Sequence, residues 1–138
     1  MKNYLPQDYE KDSVKNYPLT VVFNAEYLFD VYVGNSVLFA AKDKAPKQIV
    51  VGISMEKTRK KDTYFNLDNG RLTASNSAFY QFVRDEVLSY MERTYRTSPF
   101  ISFIGEGTSA NLISYYLQES TPYINSYYSQ LLTWVIVI

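Results

Sequence analysis

The chain of 138 residues contains no cysteine and no histidine. The absence of cysteine excludes disulfides, a thiolate nucleophile and a zinc–sulfur centre. The absence of histidine removes the commonest general base at neutral pH and the commonest ligand of transition metals. Catalysis of the Ser-His-Asp or Cys-His type by this chain's own residues is therefore excluded, and we expect neither a metal nor a cofactor.

Excess charge of one sign is also lacking, because 14 lysines and arginines balance 14 aspartates and glutamates. This balance argues against an electrostatic drive toward nucleic acid or an anionic membrane, so the basic run at residues 57–61 is interpreted as a solvated loop. The apolar run at residues 131–138 is too short to span a bilayer. Residues 1–6 show no signal-peptide pattern, which predicts a cytoplasmic location for the chain as written.

What is present is an alternation of short apolar runs with amphipathic segments. The apolar runs predict buried strands, and the segments with three- and four-residue spacing predict helices. This order favours an α/β fold with a mostly parallel sheet and helices on both faces, in one domain over residues 1–138. Strands are predicted at 19–23, 48–53 and 100–104, helices at 27–39, 79–93 and 109–118, and a long polar loop at 56–70.

Several short sequence motifs resemble those of a known family. They are YLPQDY at residues 4–9, YPLTVVFNA at 17–25, IVVGI at 49–53 and FVRDEVLSYMERTYRT at 82–97. In this order they resemble the esterase D and enterochelin-esterase family of α/β-hydrolases, over roughly residues 4 to 128. The resemblance implies a hydrolase fold and, in intact members, cleavage of carboxylic esters by a Ser-His-Asp triad.

The nucleophile elbow of that family reads G-H-S-x-G-G, whereas residues 105–110 of this chain read GEGTSA. The resemblance thus puts Gly107 at the position of the nucleophilic serine and Glu106 at that of the neighbouring histidine. Glycine has no side chain, so no acyl-enzyme can form at residue 107. Glycine does accept the strained backbone of an elbow. We therefore expect a degenerate elbow in a chain that resembles an inactive esterase.

A shifted register offers an alternative nucleophile, because Gly107 and Ser109 also fit the pattern G-x-S. Ser109 would then act with Glu106 in an unconventional hydrolase. A serine two residues into a helix is more typical of a cap or of a bond to a backbone carbonyl. The carboxylate of Glu106 is likewise favoured by the dipole at a helix N-terminus without any catalytic role.

The oxyanion hole of the family is built from backbone and does not require the serine. By resemblance its donors are the N–H of Thr108 and an N–H near Ala25 or Glu26. A cleft that keeps these donors is expected to bind a small ester or carboxylate ligand without efficient turnover. By the same resemblance the polar loop at 56–70 lies on the cleft side of the sheet, so a cleft-lining role for its basic run is an alternative to the solvated loop.

Residues 129–138 resemble nothing in the family, whose triad acid and histidine come later in the chain. We therefore expect a partial, truncated hydrolase fold with one face or edge of its sheet under-covered. Exposed apolar edges favour pairing with another chain, so a homo-oligomer formed through the apolar C-terminal strand is a third hypothesis. The three alternatives are a binding domain without a triad, an unconventional hydrolase, and an assembly module.

Overall fold

The computed structural model describes residues 1–64, 66 and 68–130. A five-stranded sheet with the strand order β1-β3-β2-β4-β5 forms its centre. Only the pairing of β1 with β3 is antiparallel, and the other pairings are parallel. The predicted α/β class with a mostly parallel sheet is therefore confirmed. The strands are β1 Lys2–Tyr4, β2 Tyr17–Phe23, β3 Ile49–Ile53, β4 Thr97–Glu106 and β5 Ser126–Gln130.

Helices connect the parallel strands. The longest connection, between β3 and β4, contains a continuous helical stretch that passes through a π-helical turn at Phe82–Val87. Within the described residues, no helix combines the length and apolar character needed to cross a membrane. The helices are α1 Ala25–Ala41, α2 Arg59–Thr63, α3 Ala74–Gln81, α4 Leu88–Thr94 and α5 Thr108–Tyr115, the last ending in a 3₁₀ turn at Tyr116–Gln118.

The two faces of the sheet are covered by different helices because side chains alternate along a strand. On β2, Val21 and Phe23 join the core that α3, α4 and α5 complete. Val22 points the other way and packs with Ala25 and Phe29 of α1. Continuous apolar strands are thus buried on both faces, as parallel sheets require.

Gly52 allows α1 to lie close against β3. A Cβ atom at residue 52 would stand 2.5 Å from Cδ2 of Phe29 and 2.8 Å from the Cβ of Ala25. Any larger side chain would push the helix off the sheet or force both neighbours out of place. The close packing of α1 on β3 therefore requires glycine at residue 52 of the apolar strand 49–53.

Three features differ from the sequence expectations or complete them. The loop predicted at 56–70 contains the short helix α2, which begins in the basic run. The edge strand β1 was not predicted, because three mostly polar residues need only backbone pairing with Val50, Val51 and Gly52 to form it. Thr73 is the N-cap of α3 and accepts a hydrogen bond of 3.2 Å from the N–H of Asn76. The predicted apolar C-terminal strand, residues 131–138, lies outside the described residues.

We expect Gly52→Ala to lower the free energy of unfolding by about 1–3 kcal/mol, because it overpacks the contact between α1 and β3. Gly34 of α1 is the matched control, since a Cβ there meets no atom within 4 Å. Gly34→Ala should raise stability by about 0.5–1 kcal/mol through the higher helix propensity of alanine. Urea denaturation of both variants measures the two shifts, and equal stabilisation by both would contradict the packing role of Gly52.

Candidate functional site

The candidate site lies where β2 and β4 end side by side. These strands are parallel neighbours, with Val22 opposite Ile104. From β2 the chain passes through α1 to β3 on one side, and from β4 it passes through α5 to β5 on the other. Ligands of open α/β sheets bind in the crevice at the carboxyl ends of strands at such a switch in direction.

Gly107 forms the turn between β4 and α5. Its backbone has φ 60° and ψ −125°, a strained conformation that glycine adopts far more readily than other residues. A Cβ atom built on this residue would meet no heavy atom within 4 Å. The turn thus presents an open space in which a side chain would stand, and glycine leaves that space empty.

Gly105 brings α5 close to the strand that precedes the turn. A Cβ at residue 105 would lie 2.6 Å from Cδ1 of Ile113 and 3.3 Å from the backbone of Ser109. The two glycines around Glu106 therefore serve different purposes. Gly105 permits close packing of a helix on a strand, and Gly107 permits the sharp turn between them.

Asn24 links the two strand ends. It is fully buried and follows β2 directly, with a left-handed backbone at φ 59°. With its amide oriented by its hydrogen-bond partners, the nitrogen donates to Oγ of Ser109 at 3.0 Å. The oxygen then accepts from Nε and Nη2 of Arg59, each at 3.1 Å. Asn24 therefore joins the turn after β2, the first turn of α5 and the start of α2.

Glu26 and Arg59 form the principal ion pair of the site. Nη2 of Arg59 lies 2.5 Å from Oε1 of Glu26, and the N–H of Met55 donates to Oε2 at 3.2 Å. Burial raises the pKa of Glu26, but hydrogen bonds from its own N–H, from Met55 and from Arg59 outweigh burial and hold this pKa below its usual value. Glu26 is therefore ionised at neutral pH and anchors Arg59 beside the first turn of α1.

Tyr27 and Glu106 line the same region. Burial raises the pKa of the Tyr27 phenol, and a hydrogen bond to Glu106 raises it further. The guanidinium of Arg59 lies 5.4 Å from the centre of the Tyr27 ring. Thr63 and Thr108 are hydrogen-bonded through their hydroxyl oxygens at 2.6 Å, which ties α2 to the start of α5.

The sequence profile of a family described as "Putative esterase" matches residues 1–110. The chain belongs to this esterase family. A comparison with curated protein sequences finds no match. The family assignment confirms the predicted resemblance.

Solved structures support the same esterase-type fold. An uncharacterised protein from Capnocytophaga ochracea matches with a TM-score of 0.81 and 28% identity over 89% of this chain and 33% of its own. An IroE-like serine hydrolase from Shewanella oneidensis matches with a TM-score of 0.75 and 20% identity over 91% of this chain and 43% of its own. A ferulic acid esterase matches with a TM-score of 0.67 and 18% identity over 91% of this chain and 50% of its own. The chain thus spans about a third to a half of these proteins.

The esterase-family chain brings its predicted site residues to one place. Glu106 is the last residue of β4, Gly107 makes the turn, and Thr108 begins α5. Ala25 and Glu26 begin α1 at the end of the neighbouring strand. The N–H groups of Ala25, Glu26 and Thr108, which are the expected donors, therefore belong to the first turns of two helices that start at the ends of neighbouring strands. Ser109 has no exposed surface, and its hydroxyl contacts Asn24.

Four members of the site were missed in the sequence. Asn24 lies in the phrase YPLTVVFNA, directly after the strand, and that position was the available signal. Arg59 lies in the basic run that was interpreted as a solvated loop, with a cleft-lining role as the alternative, and its guanidinium contacts Glu26 and Asn24. Tyr27 and Thr63 carried no local signal, because their partners Glu106 and Thr108 are distant in sequence.

The lowered pKa of Glu26 predicts a pH dependence of stability. The folded protein favours the carboxylate form of Glu26. The contribution of Glu26 to the free energy of unfolding is therefore complete above the ordinary glutamate pKa of 4.5, and it is lost as the pH falls through the lower pKa of the folded state. Glu26→Gln should therefore lose less stability than wild type when the pH falls from neutral to below 4.5. Urea denaturation across that range measures the difference.

The exposed Glu56 follows Met55 in the chain, and Glu56→Gln is the matched control for the loss of one negative charge. If Glu26→Gln and Glu56→Gln show the same acid dependence, the ion pair with Arg59 does not hold the carboxylate in its charged form.

Proposed function

We propose that the chain is an esterase-like α/β-hydrolase domain without a triad of its own, whose cleft binds a small ester or carboxylate without turning it over. The observation that carries this proposal is Gly107. It occupies a strained strand–helix turn with open space above it, where the family resemblance expects the nucleophilic serine. A sequence without histidine also offers no imidazole to activate a nucleophile or to protonate a leaving group.

The backbone around the turn supports ligand binding in this proposal. The first N–H groups of a helix have no partner within the helix, and those of α1 and α5 begin at Ala25 and Thr108, at the ends of neighbouring strands. Donors arranged in this way suit a carbonyl or carboxylate oxygen. The neighbouring Arg59 is held by Glu26 and Asn24, so it shapes the wall of the cleft as part of an ion pair.

The alternative of an unconventional hydrolase rests on Ser109 and Glu106. Ser109 is sealed from solvent, and its hydroxyl faces the amide of Asn24. A nucleophile must approach within about 3–3.5 Å of the substrate carbonyl carbon, which a buried hydroxyl in the first turn of α5 does not do. Burial therefore favours a positioning role for Ser109, with its hydroxyl joining α5 to the end of β2.

Hydrolysis of short-chain p-nitrophenyl esters separates these two proposals. We expect wild type and Ser109→Ala to release p-nitrophenol at the same rate, close to that of buffer, because neither has an accessible activated nucleophile. Turnover well above the buffer rate that is lost in Ser109→Ala would contradict the proposal and support the hydrolase alternative. A circular dichroism spectrum of each variant controls for folding.

A cysteine introduced at residue 107 tests whether the turn lowers the pKa of a nucleophilic side chain at this position. The N-terminus of α5 should hold the thiol pKa of Gly107→Cys about one unit or more below the ordinary value of about 8.5. Its thiolate should attack the ester carbonyl and expel p-nitrophenolate once per chain, leaving a thioester that hydrolyses slowly for want of a general base.

Gly34→Cys is the matched control, since Gly34 also has open space above it but lies in the middle of α1. We expect no burst with Gly34→Cys, and we expect butyrate to slow the acylation of Gly107→Cys alone. Equal reactivity of both variants, or no effect of butyrate, would count against a carboxylate-binding cleft at Gly107.

A further inference from the structure

A groove runs along the α1 side of the sheet and reaches Glu106, the residue before the turn at Gly107. Its volume is about 440 Å³, which lies within the range of about 300–1,000 Å³ that is common for small-molecule sites. Leu28, Val31 and Tyr32 of α1 form one wall, and the adjoining stretches of β4 and β5 form the floor. The groove is therefore large enough to hold a small organic molecule.

The register of β4 with β5 defines the floor of this groove. Ser102 lies opposite Ser126, and Ile104 lies opposite Tyr128. Ile104 packs in the cluster on the α1 face of the sheet, and alternate residues of a strand point to the same face. The floor therefore extends along β4 from Ser102 to Glu106, a distance of about 13 Å at the usual rise of a strand.

The middle of the groove is apolar. Leu28 and Val31 face it from α1, and Ile104 and Tyr128 face it from the sheet. Val31 is 62% exposed and Tyr128 is 60% exposed, so a ligand in the groove would remove apolar surface of both from water. Burial of this surface favours a ligand with an apolar body.

Glu106 supplies the charge of the groove. Within the part of the chain that the structure describes, it is the only charged residue that lines the groove, and none of the ion pairs there includes it. Its carboxylate accepts a hydrogen bond from Tyr27, while the nearby Arg59 is paired with Glu26. One end of the groove thus carries a half-buried negative charge that has a neutral donor as its partner.

This charge decides between the possible kinds of small ligand. An anion in the groove would be repelled by Glu106. A neutral apolar ligand would take water from the carboxylate without replacing its hydrogen bonds, which costs free energy. A cation with N–H groups would neutralise the charge and form charge-assisted hydrogen bonds to it.

We propose that the groove binds a small organic cation, namely a protonated primary amine with an apolar body. The ammonium group pairs with the carboxylate of Glu106, and the apolar body lies between Leu28 on α1 and Ile104 and Tyr128 on the sheet. This ligand differs in chemical class from the ester or carboxylate proposed for the turn at Gly107. The proposal does not depend on what that turn binds.

Titrations followed by amide NMR test the class of ligand with three molecules of equal chain length. They are hexylamine, which is protonated at neutral pH like a lysine side chain, hexanol and hexanoate. We expect hexylamine to shift the amide signals of Gly105 and Tyr128, and to bind at least tenfold more tightly than hexanol or hexanoate. Equal affinity for hexylamine and hexanol, or no shift of these signals with hexylamine, would overturn the proposal.

Glu106→Gln tests the role of the carboxylate. This variant should bind hexylamine roughly tenfold more weakly than wild type and hexanol about equally well, because only the charge is removed. The exposed Glu92 lies on α4, which packs on the other face of the sheet, so Glu92→Gln is the matched control and should bind hexylamine as wild type does. The same loss in both variants would mean a general charge effect and would overturn the proposal.

Chain length tests the role of the apolar floor. Affinity should rise from butylamine to hexylamine by up to about fourfold for each buried methylene group. Ser126→Phe fills the end of the groove away from Glu106, so this rise should disappear in the variant while butylamine binds as before. Affinity in wild type that does not depend on chain length would indicate ion association at the surface and would overturn the proposal.

Sedimentation velocity and circular dichroism complete the test. Circular dichroism controls for the folding of each variant, and sedimentation tests whether a second copy of the chain fills the groove. We expect hexylamine to bind without changing the sedimentation coefficient. A wild type that sediments as a dimer, and whose Gly105 and Tyr128 signals do not respond to hexylamine, would assign the groove to a second copy and overturn the proposal.

Discussion

The parallel pairing of β2 with β4 is the constraint on which the rest of this structure depends. It brings the carboxyl ends of two strands to the same edge, so that the turns at Asn24 and Gly107 lie together although they are far apart in the chain. The helices that follow, α1 and α5, therefore start side by side. The position of the candidate site and the contact of Asn24 with Ser109 both follow from that one register.

The ion pair of Glu26 with Arg59 joins the first turn of α1 to the long connection between β3 and β4. Arg59 begins α2, and its guanidinium reaches Glu26 and Asn24 beneath the ring of Tyr27. A charged group in this position is stabilised by its partners as well as by solvent. The basic run therefore contributes one residue to the architecture of the site, while Lys57, Lys60 and Lys61 remain exposed.

The helix α1 has two separate roles in this description. Its N-terminal turn contributes Ala25, Glu26 and Tyr27 to the candidate site, and its inner face packs on the sheet through Phe29. In this esterase-family chain, which spans a third to a half of its structural relatives, one helix thus both contributes to the candidate site and covers one face of the sheet.

Strands β2, β3 and β4 and the longer helices were predictable because apolar periodicity is local, and the buried runs at 19–23, 48–53 and 100–104 recur in these strands with shifted ends. The strand β1 and the helix α2 were not, since β1 depends on pairing with β3 and α2 on contacts made by Arg59 and Thr63. The sequence by itself determined what is chemically absent, namely histidine, cysteine and any side chain at residue 107, because composition does not depend on folding. Only the tertiary structure decided that Gly107 turns with φ 60° near Asn24, that Ser109 is buried and that Arg59 contacts Asn24 and Glu26. These facts arise from non-local strand pairing and helix packing, which no short stretch of sequence encodes.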